Sequence, residues 1–267
     1  MAKKKLLINV LIFAVGIISF TYINRLLGIV IIALLAILSG LPVALMIFGN
    51  NAYKREQYDK ALKLYKKAAN SLFASAKIKI GYGYFLIKNG YVDESEALLE
   101  KMFHKQLSKD DEMRLKSTYG IVLWKKGKID EAVEMLTKFS ENYKSISVYE
   151  NLGYFLILQG NYEKALEFNK EAIEYDDSDV GILDNLALNY YFLGDHKKAL
   201  KTYEKFIDRY PELVTSYYFY SLLLIENEEY DKALEFLNMA LHCNFSFISL
   251  IQKEEVESKI SEIENLK

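Results

Sequence analysis

A chain of 267 residues with hydrophobic side chains at 51% of positions has room for one large domain, or for a smaller domain plus a membrane segment. Its formal net charge of −2 excludes the uniformly basic surface of a nucleic-acid binder, and its single cysteine, Cys243, excludes an intramolecular disulfide. The charge is nevertheless graded: residues 50–109 carry 12 basic and 6 acidic side chains, residues 110–140 carry 6 of each, and residues 141–267 carry 12 basic against 24 acidic.

The chain opens with an apolar stretch that contains no Asp or Glu before Glu56. Leu6 to Ile23 is an 18-residue apolar run, and at about 1.5 Å of rise per residue such a run just spans a hydrocarbon core of roughly 30 Å. Asn24 and Arg25 interrupt it, and a second run follows from Leu26 to Phe48. The pattern predicts a two-helix transmembrane hairpin over residues 1–48, with Asn24-Arg25 as its turn. Lys3, Lys4 and Lys5 precede the first run, and Lys54, Arg55, Lys60, Lys63, Lys66 and Lys67 follow the second. Basic flanks stay on the cytoplasmic side, so both termini and everything after the hairpin are expected in the cytoplasm, at the cell membrane. A cleaved signal peptide is the competing reading. Against it, no small-x-small cleavage site precedes the polar turn, and a second full-length run follows directly. Pro42 lies within the second run, where a proline removes a helix hydrogen bond and kinks the helix or marks a new helical start.

After the hairpin the sequence repeats. Asn161-Tyr162-Glu163-Lys164-Ala165-Leu166 recurs about 34 residues on as Asp195-His196-Lys197-Lys198-Ala199-Leu200, and again as Glu229-Tyr230-Asp231-Lys232-Ala233-Leu234. Backward steps reach Lys128-Ile129-Asp130-Glu131-Ala132-Val133, Tyr91-Val92-Asp93-Glu94-Ser95 and Gln57-Tyr58-Asp59-Lys60-Ala61-Leu62, for six copies. A small residue stands seven positions before each turn glycine, as in Gly83 with Gly90, Gly120 with Gly127, Gly153 with Gly160 and Ala187 with Gly194. A period of this length, with a small residue in the first half and an alanine in the second, resembles the tetratricopeptide repeat, a helix-turn-helix unit. Tyr65, Leu136 and Tyr203 fall on positions that would fill the core between units, and Pro211 matches the family's proline at the end of a repeat. Departures are the absent family tryptophan, Ser221 and Glu228 where glycines are usual, and about three extra residues around His104 to Asp111.

The resemblance implies an all-α fold, a right-handed superhelical tetratricopeptide-repeat solenoid of about six units over residues 49–247. Gly49 sits at the small-residue position of the first unit, so that unit is expected to begin near residue 42, inside the second apolar run. Phe247, Ile248, Ile251, Val256, Ile260 and Ile263 recur at helical spacing and predict a capping helix over residues 248–267.

No catalytic constellation is present. The histidines His104, His196 and His242 are scattered, His196 taking the packing position of Tyr162 and Tyr230 in neighbouring units, and no phosphate loop, nucleophile elbow or zinc-protease motif occurs. The expectation is a non-enzyme without cofactor, metal or small-molecule substrate. In the family the first helix of each unit lines a groove that binds a protein segment. Carried onto this chain, those positions are Lys77, Tyr84, Lys88, Arg114, Trp124, Lys125, Asn151, Tyr154, Asn185 and Tyr191. Asn151 and Asn185 match one position of the family's carboxylate clamp, while Tyr154 and Leu188 stand where its asparagines belong. The mix of basic and aromatic side chains predicts a protein partner that offers acidic and apolar residues, and a membrane-anchored adaptor as the function. The alternative is a subunit of an envelope or secretion assembly, in which small residues such as Gly16 and Gly28 let the hairpin pack against other membrane proteins.

Overall fold

The computed structural model describes residues 10, 14–18, 20–21, 25–209, 211 and 213–265. From Arg25 on, all regular structure among them is helical: thirteen α-helices and one short 3-10 helix. The chain forms two compact units, one of the described residues up to 87 together with 91–118, the other of residues 88–90 and the described residues from 119 on.

The first unit begins with residues 14–18 in helical conformation, ahead of α1 (Arg25–Lys54). A Cβ on Gly16 would lie 3.1 Å from Ile32, and one on Gly28 would lie 2.5 Å from the Phe20 backbone. Contacts that run forward on one segment and backward on the other are those of an antiparallel pair. Most of the predicted first span, Leu6–Ile23, lies outside the described residues. Among the described residues α1 is the one helix long and apolar enough to cross a bilayer, where two were expected. It continues through Pro42 as a single element into the first repeat. Its outer face stays apolar and exposed as far as Ile47 and Phe48, while Gly49 and Ala52 are buried.

That buried end packs on α2 (Tyr58–Asn70) and α3 (Ala76–Lys88). Ala52, Ala61, Tyr65 and Phe85 form the core there, with Met46, Tyr53 and Leu62 around it. Tyr65 donates its hydroxyl hydrogen to Asn50 Oδ1. α4 (Val92–Phe103) closes on α3 at Gly83, where an added Cβ would meet Leu99 at 2.7 Å, and Ser95 Oγ donates to Gly83 O at 2.8 Å. The small residue and the alanine-type position of the repeat thus meet as the sequence predicts. α5 (Lys109–Lys125) begins in this unit and ends in the second.

The second unit contains α6 (Ile129–Ser140), α7 (Ile146–Leu158), α8 (Tyr162–Tyr175), α9 (Val180–Phe192), α10 (His196–Tyr203), α11 (Val214–Glu226), α12 (Tyr230–Leu241) and α13 (Lys253–Glu264). α9 packs on both α7 and α8, and α11 packs on α9, α10 and α12. α9 and α11 therefore each meet the second helix of their own repeat and both helices of the repeat before. Asn161, Asp179 and Asp195 cap the N-termini of α8, α9 and α10 by accepting from a backbone N–H three residues on, which satisfies a donor the helix itself cannot. α10 is short, and a 3-10 turn at Ile207–Arg209 leads to Pro211. α13 carries a capping box at Gln252 and Glu255 and packs on α12 through Val256 and Ile263. Phe247, assigned by sequence to the same apolar stripe, lies instead in the loop before α13 and is exposed.

One turn recurs between the two helices of a repeat. Gly90, Gly127, Gly160 and Gly194 have φ between +76° and +84°. The next residue donates back five positions, as in Tyr91 N to Leu86 O at 3.0 Å and Asp195 N to Tyr190 O at 2.9 Å. This closes a helix C-terminus through a left-handed residue, for which glycine has no steric penalty. The first and sixth repeats make the same turn with Glu56 (φ 58°) and Glu228 (φ 60°), followed by Gln57 N to Ala52 O and Glu229 N to Leu224 O, both 2.9 Å.

Candidate functional site

The sequence-derived surface residues divide between the two units. In the first, Lys77 and Tyr84 stand seven residues apart on α3, a spacing that returns to the same helical face. Ile78, Ile80, Gly83, Phe85, Leu86 and Ile87 of that helix are buried, whereas Lys77 and Tyr84 face outward, the tyrosine 41% exposed. Arg114 is exposed on α5.

In the second unit Trp124 and Lys125, the last residues of α5, form a stacked pair, with Lys125 Nζ 3.9 Å from the Trp124 ring centroid. The ammonium also lies 5.2 Å from the centroid of Phe247. Burial holds the Lys125 pKa below the usual lysine value. Lys88 joins this group through its backbone, because its carbonyl accepts from Phe247 N at 3.1 Å. Of the ten residues, Lys125 thus meets the Phe247 ring and Lys88 its backbone, with Trp124 on the other side of the same ammonium.

The remaining four do not present themselves alike. Asn151 is half-buried and donates to Ser147 O of its own helix at 2.6 Å. Tyr154 is half-buried, and burial first, then the nearby Asp184 charge, pushes its hydroxyl pKa up. Asn185 is buried, and its amide donates to Glu150 O at 2.7 Å, bonding α9 to α7. The clamp-like position is therefore spent between helices. Tyr191 packs in an aromatic group, stacked on His196 at 5.0 Å and edge-on to Phe219 at 4.8 Å, and burial raises its pKa. His196 has the packing role its repeat position predicts, with Nδ1 also 2.6 Å from Glu226.

Two features escaped the sequence reading. Phe247 is one, since nothing in its local pattern connects it with Lys88 or Lys125. The other is a buried polar layer across α7, α8, α9 and α11. Asp184 is buried and accepts from Ser216 Oγ at 2.6 Å; desolvation pushes its carboxyl up to about 6, with the serine hydrogen bond pulling the other way. Asn189 donates to Tyr162 O at 2.9 Å, and Asn169 reaches Asn189 Oδ1 at 3.4 Å. The available signal was a run of three polar residues, Asp184, Asn185 and Asn189, in the otherwise apolar α9. Among the described residues no group of three or more His, Cys, Asp or Glu is placed to hold a metal ion.

Comparison with known proteins places these repeats. Residues 144–212 and 185–244 each match a sequence profile of the tetratricopeptide repeat. A search of curated proteins finds no significant match to the chain. Among solved structures, a tetratricopeptide repeat protein from Parabacteroides merdae is 15% identical and covers 84% of each chain with a TM-score of 0.66. A thermophilic TPR protein of Thermus thermophilus is 21% identical, covers 69% of this chain and 99% of its own, and has a TM-score of 0.57. These likenesses show an all-helical repeat-solenoid fold, and no catalytic family is indicated. The profile matches together fall on residues 144–244, less than half of the chain, and the structural likenesses add the fold.

Proposed function

We propose that the chain is a membrane-anchored protein-interaction scaffold, with residues 1–48 as a two-span hairpin, residues 49–247 as a cytoplasmic repeat solenoid and residues 248–267 as its cap. The repeats hold a partner segment bearing acidic and apolar residues. The observation that carries the reading is the outward stripe of α3. Six of its residues are buried, and its exposed Lys77 and Tyr84 present a cation and an aromatic ring. Tyrosine is among the residue types that dominate binding energy where proteins meet, and peripheral lysines chiefly speed association in a salt-dependent way.

For the anchor, support comes from the exposed apolar surface of α1 and from the basic residues that flank it. The close approach of Gly28 to Phe20 and of Gly16 to Ile32 supports a hairpin whose glycines serve its own packing. That use leaves them less to offer a neighbouring membrane subunit, so the assembly-subunit reading stands second.

The test is a photo-cross-linking residue at Tyr84 in the full-length chain in native membranes. Capture of one recurrent protein, weakened when Lys77 on the same face of α3 is replaced by Ala, is the expected result. Undiminished capture of every protein in that variant would overturn the outward stripe of α3 as the working surface, and capture of a set of membrane subunits would favour the assembly. A reporter fused to the C-terminus should give a cytoplasmic signal only.

A further inference from the structure

The loop between α12 and α13 lies against residues from a distant part of the chain. Phe247 N donates to Lys88 O at 3.1 Å, a backbone hydrogen bond across 159 positions of sequence. The carbonyls of a helix's last turn have no intrahelical donor, so the end of α3 is a natural acceptor for a backbone N–H brought from elsewhere. The Phe247 ring rests on Gly90, where an added Cβ would stand 3.6 Å from it, and Lys125 Nζ lies 5.2 Å from its centroid while also covering Trp124. A carbonyl acceptor, a glycine floor and a cation beside a tryptophan together form a subsite for an aromatic residue on extended backbone.

We propose that Lys88, Gly90, Trp124 and Lys125 form an aromatic-accepting subsite that the chain fills with its own Phe247. A partner enters it by presenting an aromatic residue with a free backbone N–H. This rests on the groove-binding function above and names the chemistry the groove selects. The occupant's own state argues for exchange. Phe247 stays 46% exposed, held by the Lys88 backbone bond, the Gly90 face and the Lys125 ammonium. The loop holds its own shape separately, through Ser246 N to Ser249 Oγ at 3.0 Å and Gln252 Nε2 to Ser249 O at 2.9 Å. It can therefore leave the subsite without α12 or α13 unfolding. Internal occupancy lowers the apparent affinity of an incoming segment by the fraction of chains with the site open.

The probe is a fluorescent synthetic peptide of residues 244–252, Asn-Phe-Ser-Phe-Ile-Ser-Leu-Ile-Gln, titrated into the full-length chain in detergent micelles. Wild type should bind it weakly and Phe247→Ala about tenfold more tightly, the gain expected when a largely closed site is opened. Trp124→Ala in the Phe247→Ala background should remove that gain, and a peptide with Ala in place of its second Phe should bind neither protein. Trp124 is the only tryptophan, so its emission should also shift in Phe247→Ala without peptide. Phe247→Leu, which keeps an apolar side chain and loses the ring face, should fall between the two. Equal peptide affinity of wild type, Phe247→Leu and Phe247→Ala, with helical circular dichroism unchanged, would overturn the proposal. So would Trp124 emission that ignores both substitutions. Partner capture at Tyr84 is a separate readout. If capture persists while the peptide series is flat, the self-filled subsite alone is refuted; if the peptide series behaves as expected and nothing is captured, the scaffold reading falls and the subsite stands.

Discussion

The junction between the first two repeats and the layer running from the fourth repeat to the sixth use one backbone frame and fill it with opposite chemistry. At the first, Tyr53, Tyr65 and Phe85 meet at ring-centroid distances of 4.3 and 5.6 Å about Phe85. In the second, Asn185 bonds to Glu150 O, Asn189 to Tyr162 O, and Ser216 to Asp184. Tyr65 and Asn169 make the contrast direct, because both stand four residues after the alanine of their repeat. The first is an aromatic core residue, whereas the second is a buried amide whose Oδ1 lacks a partner. Aromatic packing contributes through area and shape, with about 0.5–1.5 kcal/mol per ring pair beyond burial. Hydrogen bonds contribute a net of about 0.5–1.5 kcal/mol each, but a buried group left unpaired costs about 1–3 kcal/mol. The aromatic junction therefore gains mainly stability, and the polar layer gains mainly a defined register between helices.

The largest effect on this contrast should come from removing one wall of the aromatic junction. A chain starting at residue 51 loses Met46 and Gly49, against which Tyr65 and its neighbours pack. Hydrogen exchange should then show α2 unprotected while α7 to α9 keep their protection. Equal protection in α2 and α8 would show that the junction does not need α1. Next, Phe85→Ala should cost about 3–5 kcal/mol, the range for deleting a buried aromatic ring. Chemical denaturation should register that loss in the first unit.

The polar layer should respond to pH where the aromatic junction does not. Asp184 has a folded value of about 6, above its ordinary 3.8, so the fold favours its neutral form. Stability from this group is fully present below about pH 4 and declines as pH rises through about 6. Asp184→Asn removes that decline. Its gain over wild type should be negligible at pH 4 and reach about 2–3 kcal/mol at pH 8, since each tenfold difference in proton affinity between the folded and unfolded chain is worth about 1.4 kcal/mol. A gain of the same size at both pH values would show that charge is not the cause. The smallest expected effect concerns a turn common to both regions. Glu228→Gly and Glu56→Gly should each stabilise by about 1 kcal/mol, by relieving a left-handed conformation that L-residues disfavour. Gly194→Ala should move in the opposite direction.

The repeats were legible because their signals are local and recur. Gly83 and Ser95 touch within one helical pair, and an added Cβ on Gly49, Gly83 or Gly153 would meet the residue four positions after its repeat's alanine position, Tyr65, Leu99 or Asn169. Glu228 was recognised as a departure from glycine, and the structure adds that the backbone keeps the glycine conformation regardless. What could not be read depended on distance or on exceptions. The Phe247 contact joins a loop to a helix end across most of the chain, with no period to announce it. Asn185 carried the residue type of a ligand clamp, but burial and the Glu150 carbonyl decide its use, and neither is visible in a side-chain list. Tyr191 was placed on the open wall, yet it belongs half to an aromatic cluster whose members come from three helices.

Because Arg25–Lys54 is a single helix, its apolar half and its repeat-bearing half cannot rotate independently. A helix acts as a threaded shaft, in which each added residue advances the end by about 1.5 Å and turns it by about 100°. One alanine inserted between Leu38 and Ser39 would therefore swing the repeats of the first unit by more than a quarter turn about the shaft, and four would restore the azimuth to within about 40° while lifting it by about 6 Å. If the apolar half is held in a bilayer, partner capture should vary periodically with insertion length. The direction in which the repeats face would then be set by the phase of one helix.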